Sequence, residues 1–96
     1  MKPVTIATRA RQDLLEIWAY IAKDSVDAAN RVIAEIEANF QKLAKWPGMG
    51  HVRDDVKDAR YRFWRVYSYL IVYLPDTQPL EVNRVVSGYR DLRKML

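Results

Sequence analysis

The spacing of hydrophobic and polar positions changes character along the chain, and those changes divide it into elements. Residues 2–7 alternate weakly around Val4 and Ile6, β-branched residues that predict a short opening strand. From Thr8 the spacing becomes helical. Leu14, Ile17, Trp18 and Ile21 fall at i, i+3, i+4 and i+7, which puts them on one face of a helix over about residues 9–23, with Thr8 as its expected N-cap. Asp24 and Ser25 interrupt the period, and Ser25 is placed to cap a second helix whose first turn holds Asp27. That helix has the strongest periodic signal in the chain. Ala29, Val32, Ile33, Ile36, Phe40 and Leu43 share one face, and Arg31, Glu35, Asn39 and Lys42 are expected to turn outward. Pro47 and Gly48 stop it. The short link between two amphipathic helices predicts an antiparallel helical hairpin.

Residues 46–58, WPGMGHVRDDVKD, keep no period and read as a connection. After them the pattern turns to β: residues 60–66, 69–74 and 80–86 are short runs rich in Val, Ile, Tyr, Phe and Trp, with turn chemistry at residues 75–79. These runs predict a three-stranded antiparallel meander. Residues 89–96 then form a basic tail, with about residues 90–96 expected to be flexible. The order β-α-α-β-β-β predicts a single α+β domain over residues 1–96, built in two layers with the helical hairpin packed on one face of a mainly antiparallel sheet. One helical layer covers one face, so the other is expected to stay open and to display aromatic and arginine side chains. Alternation leaves open which set faces outward, because Tyr61, Phe63 and Arg65 are as mixed as Arg60, Arg62 and Trp64.

Composition narrows the function. At 96 residues, half of them hydrophobic, the chain suits one folded domain with a modest core and no deep cavity for a large cofactor. It has no cysteine, which excludes disulfides, thiolate zinc sites, iron–sulfur clusters and cysteine nucleophiles. No apolar run approaches the length of a membrane span, so a cytoplasmic protein without membrane contact is expected. The net charge of +4 is unevenly placed: residues 1–48 carry 7 basic and 6 acidic side chains, residues 49–96 carry 9 and 6. Ten of the 16 positive charges are arginines, whose planar fork suits phosphate or carboxylate partners.

Candidate chemistry is sparse. His51 is the only histidine and stands in a glycine-flanked loop without a nucleophile motif, which makes it a surface residue before it is a catalyst. Asp54, Asp55 and Asp58 cluster, but Arg53 and Lys57 among them predict a self-neutralising loop and no metal site. Gly48-Met49-Gly50 lacks the length and the lysine of a phosphate loop. Arg60, Arg62 and Arg65 interleaved with Tyr61, Phe63 and Trp64 suit either RNA contact or a strand with one buried face. A ribonuclease lacking a catalytic histidine would use Tyr67, Tyr69, Tyr73 or Tyr89 beside an arginine for proton transfer. Trp18, Tyr20 and Trp46 exceed what a small core needs and predict an exposed apolar patch for a partner.

Four segments together resemble the ParE branch of the RelE/ParE superfamily of bacterial toxins: A-x-x-D-L-x-x-I-W-x-Y-I-A at residues 10–22, P-G-M-G at 47–50 followed by R-D-D at 53–55, Y-L-I-V-Y at 69–73 and R-V-V-S-G-Y-R-D-L at 84–92. The resemblance implies a toxin held inactive by a small ParD-like antitoxin that wraps over the hairpin and sheet. In the ParE branch it implies DNA gyrase as the target. In the RelE branch it implies ribosome-dependent cleavage of messenger RNA. Two features favour ParE: the long hairpin, and Ser87 before Gly88, where many relatives carry a histidine that could act as a base. On this reading Leu14, Ile17, Trp18 and Ile21 divide between core and antitoxin groove, with Trp18 assigned to the groove. Arg60, Arg62 and Arg84 bind the antitoxin. The tail residues Arg90, Arg93, Lys94, Met95 and Leu96 contact the target. No catalytic residue, metal or cofactor is assigned.

Overall fold

A computed structural model describes residues 2–87. It contains β1 (Val4–Ile6), α1 (Thr8–Ala22), α2 (Val26–Lys45), a 3₁₀ turn (Pro47–Met49), β2 (Arg62–Val66), β3 (Tyr69–Leu74) and β4 (Leu80–Ser87). The strands form one sheet in the order β1-β4-β3-β2. Its β2–β3 and β3–β4 pairings are antiparallel, and β1 joins β4 in parallel, so the expected meander gains a parallel strand at one edge.

Tertiary contacts adjust the expected boundaries. Thr8 does not cap α1; it is the first helical residue, and Ala7 stands before it with no side-chain cap. The reason is strand pairing: the Ala7 N–H still donates to the Val82 carbonyl at 3.0 Å while its own carbonyl accepts from Arg11, so β1 runs straight into the helix. Ser25 caps α2 as expected, its hydroxyl accepting the Ala28 N–H at 3.0 Å. β2 begins at Arg62 and not at residue 60, because the Asp58 carboxylate takes both the backbone N–H and the guanidinium of Arg60 and holds this stretch in a turn.

The main core lies between the hairpin and the sheet. Ile17, Ile36, Phe40 and Leu43 of the helices meet Val66, Ile71, Tyr73, Val82 and Val85 of the strands. Each fully buried aliphatic side chain here contributes about 1.5–3 kcal/mol. Asn39 was expected to face solvent but is buried, and both ends of its amide are bonded: its Nδ2 donates to the Glu35 carbonyl at 2.8 Å and its Oδ1 accepts the Trp64 indole N–H at 2.9 Å. A helix position beneath a sheet tryptophan is polar on purpose: the indole needs an acceptor where water is excluded.

The opposite face of the sheet is not left open. Val56, in the connection before β2, packs on Phe63, Leu70, Val72 and Val86, with Tyr61 at the margin, and this strap makes a second, smaller core. Alternation in β2 is thereby decided. Trp64 packs toward the helices with Val66, and Phe63 packs beneath the strap with Tyr61.

Candidate functional surfaces

Along the stripe of α1 the structure separates buried from exposed positions. Ile17 is buried in the core, Leu14 and Ile21 are half-buried against it, and Trp18 emerges, 37% exposed. Its indole N–H donates to Asn30 Oδ1 of α2 at 2.8 Å, which fixes the ring across the outer seam of the hairpin. Leu15, three residues before Trp18, is 69% exposed, and Val26, one turn before Asn30 on α2, is also exposed. Sequence periodicity missed Leu15, since it falls off the i, i+3, i+4 stripe; its signal was an apolar residue on a polar face. Trp18, Tyr20 and Trp46 do not form one patch. Trp46 lies 16 residues beyond Asn30, about 24 Å along α2. Tyr20 lines a groove on another side of α1.

That groove, of about 730 Å³, opens between α1 and the end of the sheet where β3 begins and β4 ends. Tyr20 and Tyr69 stand in its wall, and burial pushes the Tyr69 phenol above the usual tyrosine range. At its charged end Asp13 and Arg84 form a two-point ion pair, Arg84 Nε to Oδ2 at 2.8 Å and Nη2 to Oδ1 at 3.1 Å. Asp13 Oδ2 also accepts the Val85 N–H at 3.0 Å, and Arg9 approaches Oδ1 to 3.9 Å.

The other arginines assigned from sequence are held apart from this group. Arg60 lies in the turn before β2, in an exposed ion pair with Asp58 at 2.7 Å. Its side-chain hydrogen bonds hold the Asp58 carboxyl down at about 2, and Asp58 in turn raises the Arg60 guanidinium. Arg62 reaches the other way and donates from Nη1 to the Gly50 carbonyl at 3.0 Å. Gly50 belongs to a lock around Tyr73. The phenol donates to the Pro47 carbonyl at 2.6 Å and accepts the Gly50 N–H at 2.9 Å, and a Cβ on Gly50 would sit 2.8 Å from Tyr73 Cε1. Burial nevertheless raises the Tyr73 phenol above its ordinary range.

His51 pairs its backbone with Phe63, and its ring stacks on Trp64 at a centroid distance of 6.2 Å. The acidic loop is self-neutralising as expected, Arg53 binding Asp55 at 2.8 Å and Arg60 binding Asp58. Among the described residues no group of three potential metal ligands converges, and no helix is long and apolar enough to cross a membrane. Arg90, Arg93, Lys94, Met95 and Leu96, assigned to target contact, lie outside the described residues.

A helical hairpin packed on a mixed four-stranded sheet defines a small two-layer α+β domain. The chain belongs to the family described as the ParE toxin of the type II toxin–antitoxin system parDE, whose model matches residues 4–92. It is 32% identical over 97 residues to Toxin ParE1 of Caulobacter vibrioides, covering 100% of this chain and 99% of that protein. A putative toxin of Sinorhizobium fredii is 32% identical over 95 residues, with 99% and 97% covered. The fold is similar to a solved chromosomal ParDE system from P. aeruginosa, with a TM-score of 0.74 at 14% identity over 92% of this chain and 97% of that one.

Proposed function

We propose that this ParE-family toxin inhibits DNA gyrase by binding it and is neutralised by a ParD-like antitoxin laid on the outer seam of the helical hairpin. The observation that carries the choice of a protein target over RNA cleavage is the state of the three arginines Arg60, Arg62 and Arg84. Arg60 is bound to Asp58, Arg62 to the Gly50 carbonyl and Arg84 to Asp13. An RNA-cutting site needs guanidinium groups free to meet phosphate and a proton-transfer group beside them. Here the arginines already have oxygen partners, and the Tyr73 phenol is engaged at Pro47 and Gly50.

Exposure of Leu15 and Trp18 supports the antitoxin seam. An exposed leucine one turn from an indole already oriented by Asn30 suits the apolar face of an amphipathic segment. The same reading gives target contact to the basic tail. The test is growth arrest on induced expression, relieved by co-expression of a ParD-like antitoxin. Arrest that the antitoxin relieves, with gyrase-dependent supercoiling lost in the arrested cells, supports the reading; arrest with normal supercoiling contradicts the gyrase target.

A further inference from the structure

Residues 52–61, the strap over the second face of the sheet, begin and end against β2. Just before them the His51 N–H donates to the Phe63 carbonyl at 2.8 Å, and the His51 carbonyl accepts the Phe63 N–H at 2.9 Å. Just after them Arg62 opens β2 and donates to the Gly50 carbonyl at 3.0 Å. The strap is therefore a closed loop whose two ends meet in a hydrogen-bonded stem, the geometry of a compact Ω-loop. Short-range contacts brace it from within: the Arg53–Asp55 and Asp58–Arg60 ion pairs, the Val56 N–H on the Arg53 carbonyl at 3.3 Å, and the Arg60 guanidinium over the Tyr61 ring. Each joins residues no more than three apart, so each survives if the loop moves as one body.

The apolar hold of the loop on the sheet centres on one side chain. Val56 is the single buried residue of residues 52–61, and Val52 is exposed. The face beneath is far larger than its latch: Phe63, Leu70, Val72 and Val86, all buried, come from three strands. A cover with few buried apolar contacts opens at lower free energy than the paired strands under it.

We infer that residues 52–61 form a hinged flap: the loop lifts as a unit on its His51–Phe63 stem, Val56 withdraws as the latch, and an apolar face of β2, β3 and β4 is bared while the helical hairpin stays packed on the other. The chain has no cysteine, so a single introduced thiol reports its own accessibility. Ile71 and Val72 are neighbours on β3 and both fully buried, but Ile71 belongs to the hairpin core and Val72 to the core under the flap. The test labels full-length Ile71→Cys and Val72→Cys with DTNB across low urea concentrations. Val72→Cys should react at least about tenfold faster than Ile71→Cys and with a much shallower urea dependence, since a lifted flap exposes little of the surface that unfolding exposes. Adding Val56→Ala should speed Val72→Cys at least about tenfold further. Leu70→Cys reports the same face and should follow Val72→Cys, so the comparison stands if one flap-side variant fails to fold. Equal rates with the same steep urea dependence on both sides of the sheet would mean that only global unfolding bares this face and would overturn the inference. A flap-side rate unmoved by Val56→Ala overturns it as well, by removing the latch.

Discussion

Asp13 and Arg84, 71 positions apart in sequence, meet through two hydrogen bonds at the point where the sheet loses a strand. β1 accompanies β4 only from Leu80 to Val82, and Ala7 adds one more bond to Val82. Beyond that point α1 runs beside β4, and Asp13 accepts the Val85 N–H in place of a strand carbonyl. One carboxylate thus ends the parallel edge, joins helix to sheet and neutralises a guanidinium. Both side chains are largely buried, 5% and 14% exposed.

Asp13→Ala should therefore be among the most damaging single substitutions, by about 3–5 kcal/mol, because it leaves a buried guanidinium without its partner and an N–H without an acceptor. Asp13→Asn keeps an acceptor for Val85 and should cost less. Adding Arg84→Met to Asp13→Ala should restore part of the loss. Urea unfolding of the four proteins measures this, and equal midpoints for parent and Asp13→Ala would refute it.

Gly50→Ala should destabilise by about 1–3 kcal/mol, since the new methyl group would displace the Tyr73 phenol from the 3₁₀ turn. Tyr73→Phe removes the hydroxyl that serves both Pro47 and Gly50 and should cost about 1–2 kcal/mol. The pair should be strongly non-additive in a double-mutant cycle, because both changes break one lock. Additive losses would show that the contact is incidental.

Tyr69 and Tyr73 have phenols raised by burial, so each keeps its proton in the folded chain at a pH where the unfolded chain has lost it. Their contribution to stability is complete below about pH 10 and declines as pH rises beyond it. Tyr73→Phe should flatten that alkaline decline. At the acid end Asp58, held at about 2, contributes stability that is present above its ordinary value of 3.8 and lost as pH falls toward 2. Asp58→Asn should remove that acid-limb dependence. Stability curves against pH for the three proteins check both signs.

Trp18→Ala should leave the fold nearly intact, with a loss near 1 kcal/mol for the bond to Asn30, while weakening antitoxin binding at least about tenfold. Leu15→Ser should act the same way with still less effect on stability. Calorimetric titration with a ParD-like antitoxin that neutralises the parent checks it, and unaltered affinity for both variants would remove the outer seam from the antitoxin site.

Deleting residues 93–96 should leave folding intact and weaken toxicity, since every described strand lies at or before Ser87. Growth arrest by the truncated chain, compared with the parent at matched expression, checks the assignment of the tail to the target. Full toxicity would sink it.

Sequence patterning revealed the elements well because each is strongly periodic or rich in β-branched residues. The hairpin, the cap at Ser25 and the strand over Tyr69–Leu74 all follow from local signals. What escaped depends on contacts distant in sequence. Asn39 looked like an outward polar residue until Trp64 was brought above it, and Val56 looked like a loop residue until the sheet came beneath it. Asp13 left a trace, being a carboxylate four residues before Ile17 on the buried face, but nothing local names Arg84 and Val85 as its partners. The arginines could be counted from sequence, whereas their engagement within the chain could not.

The most direct test of the whole reading is a gyrase supercoiling and DNA-cleavage assay with the purified protein, with and without its antitoxin, run beside a translation reaction primed with defined messenger RNA. A gyrase-binding toxin should block supercoiling, release the block when the antitoxin is added and leave the messenger intact. Cleavage of the messenger at codon-fixed positions with gyrase unaffected would contradict that reading and make the protein an endoribonuclease.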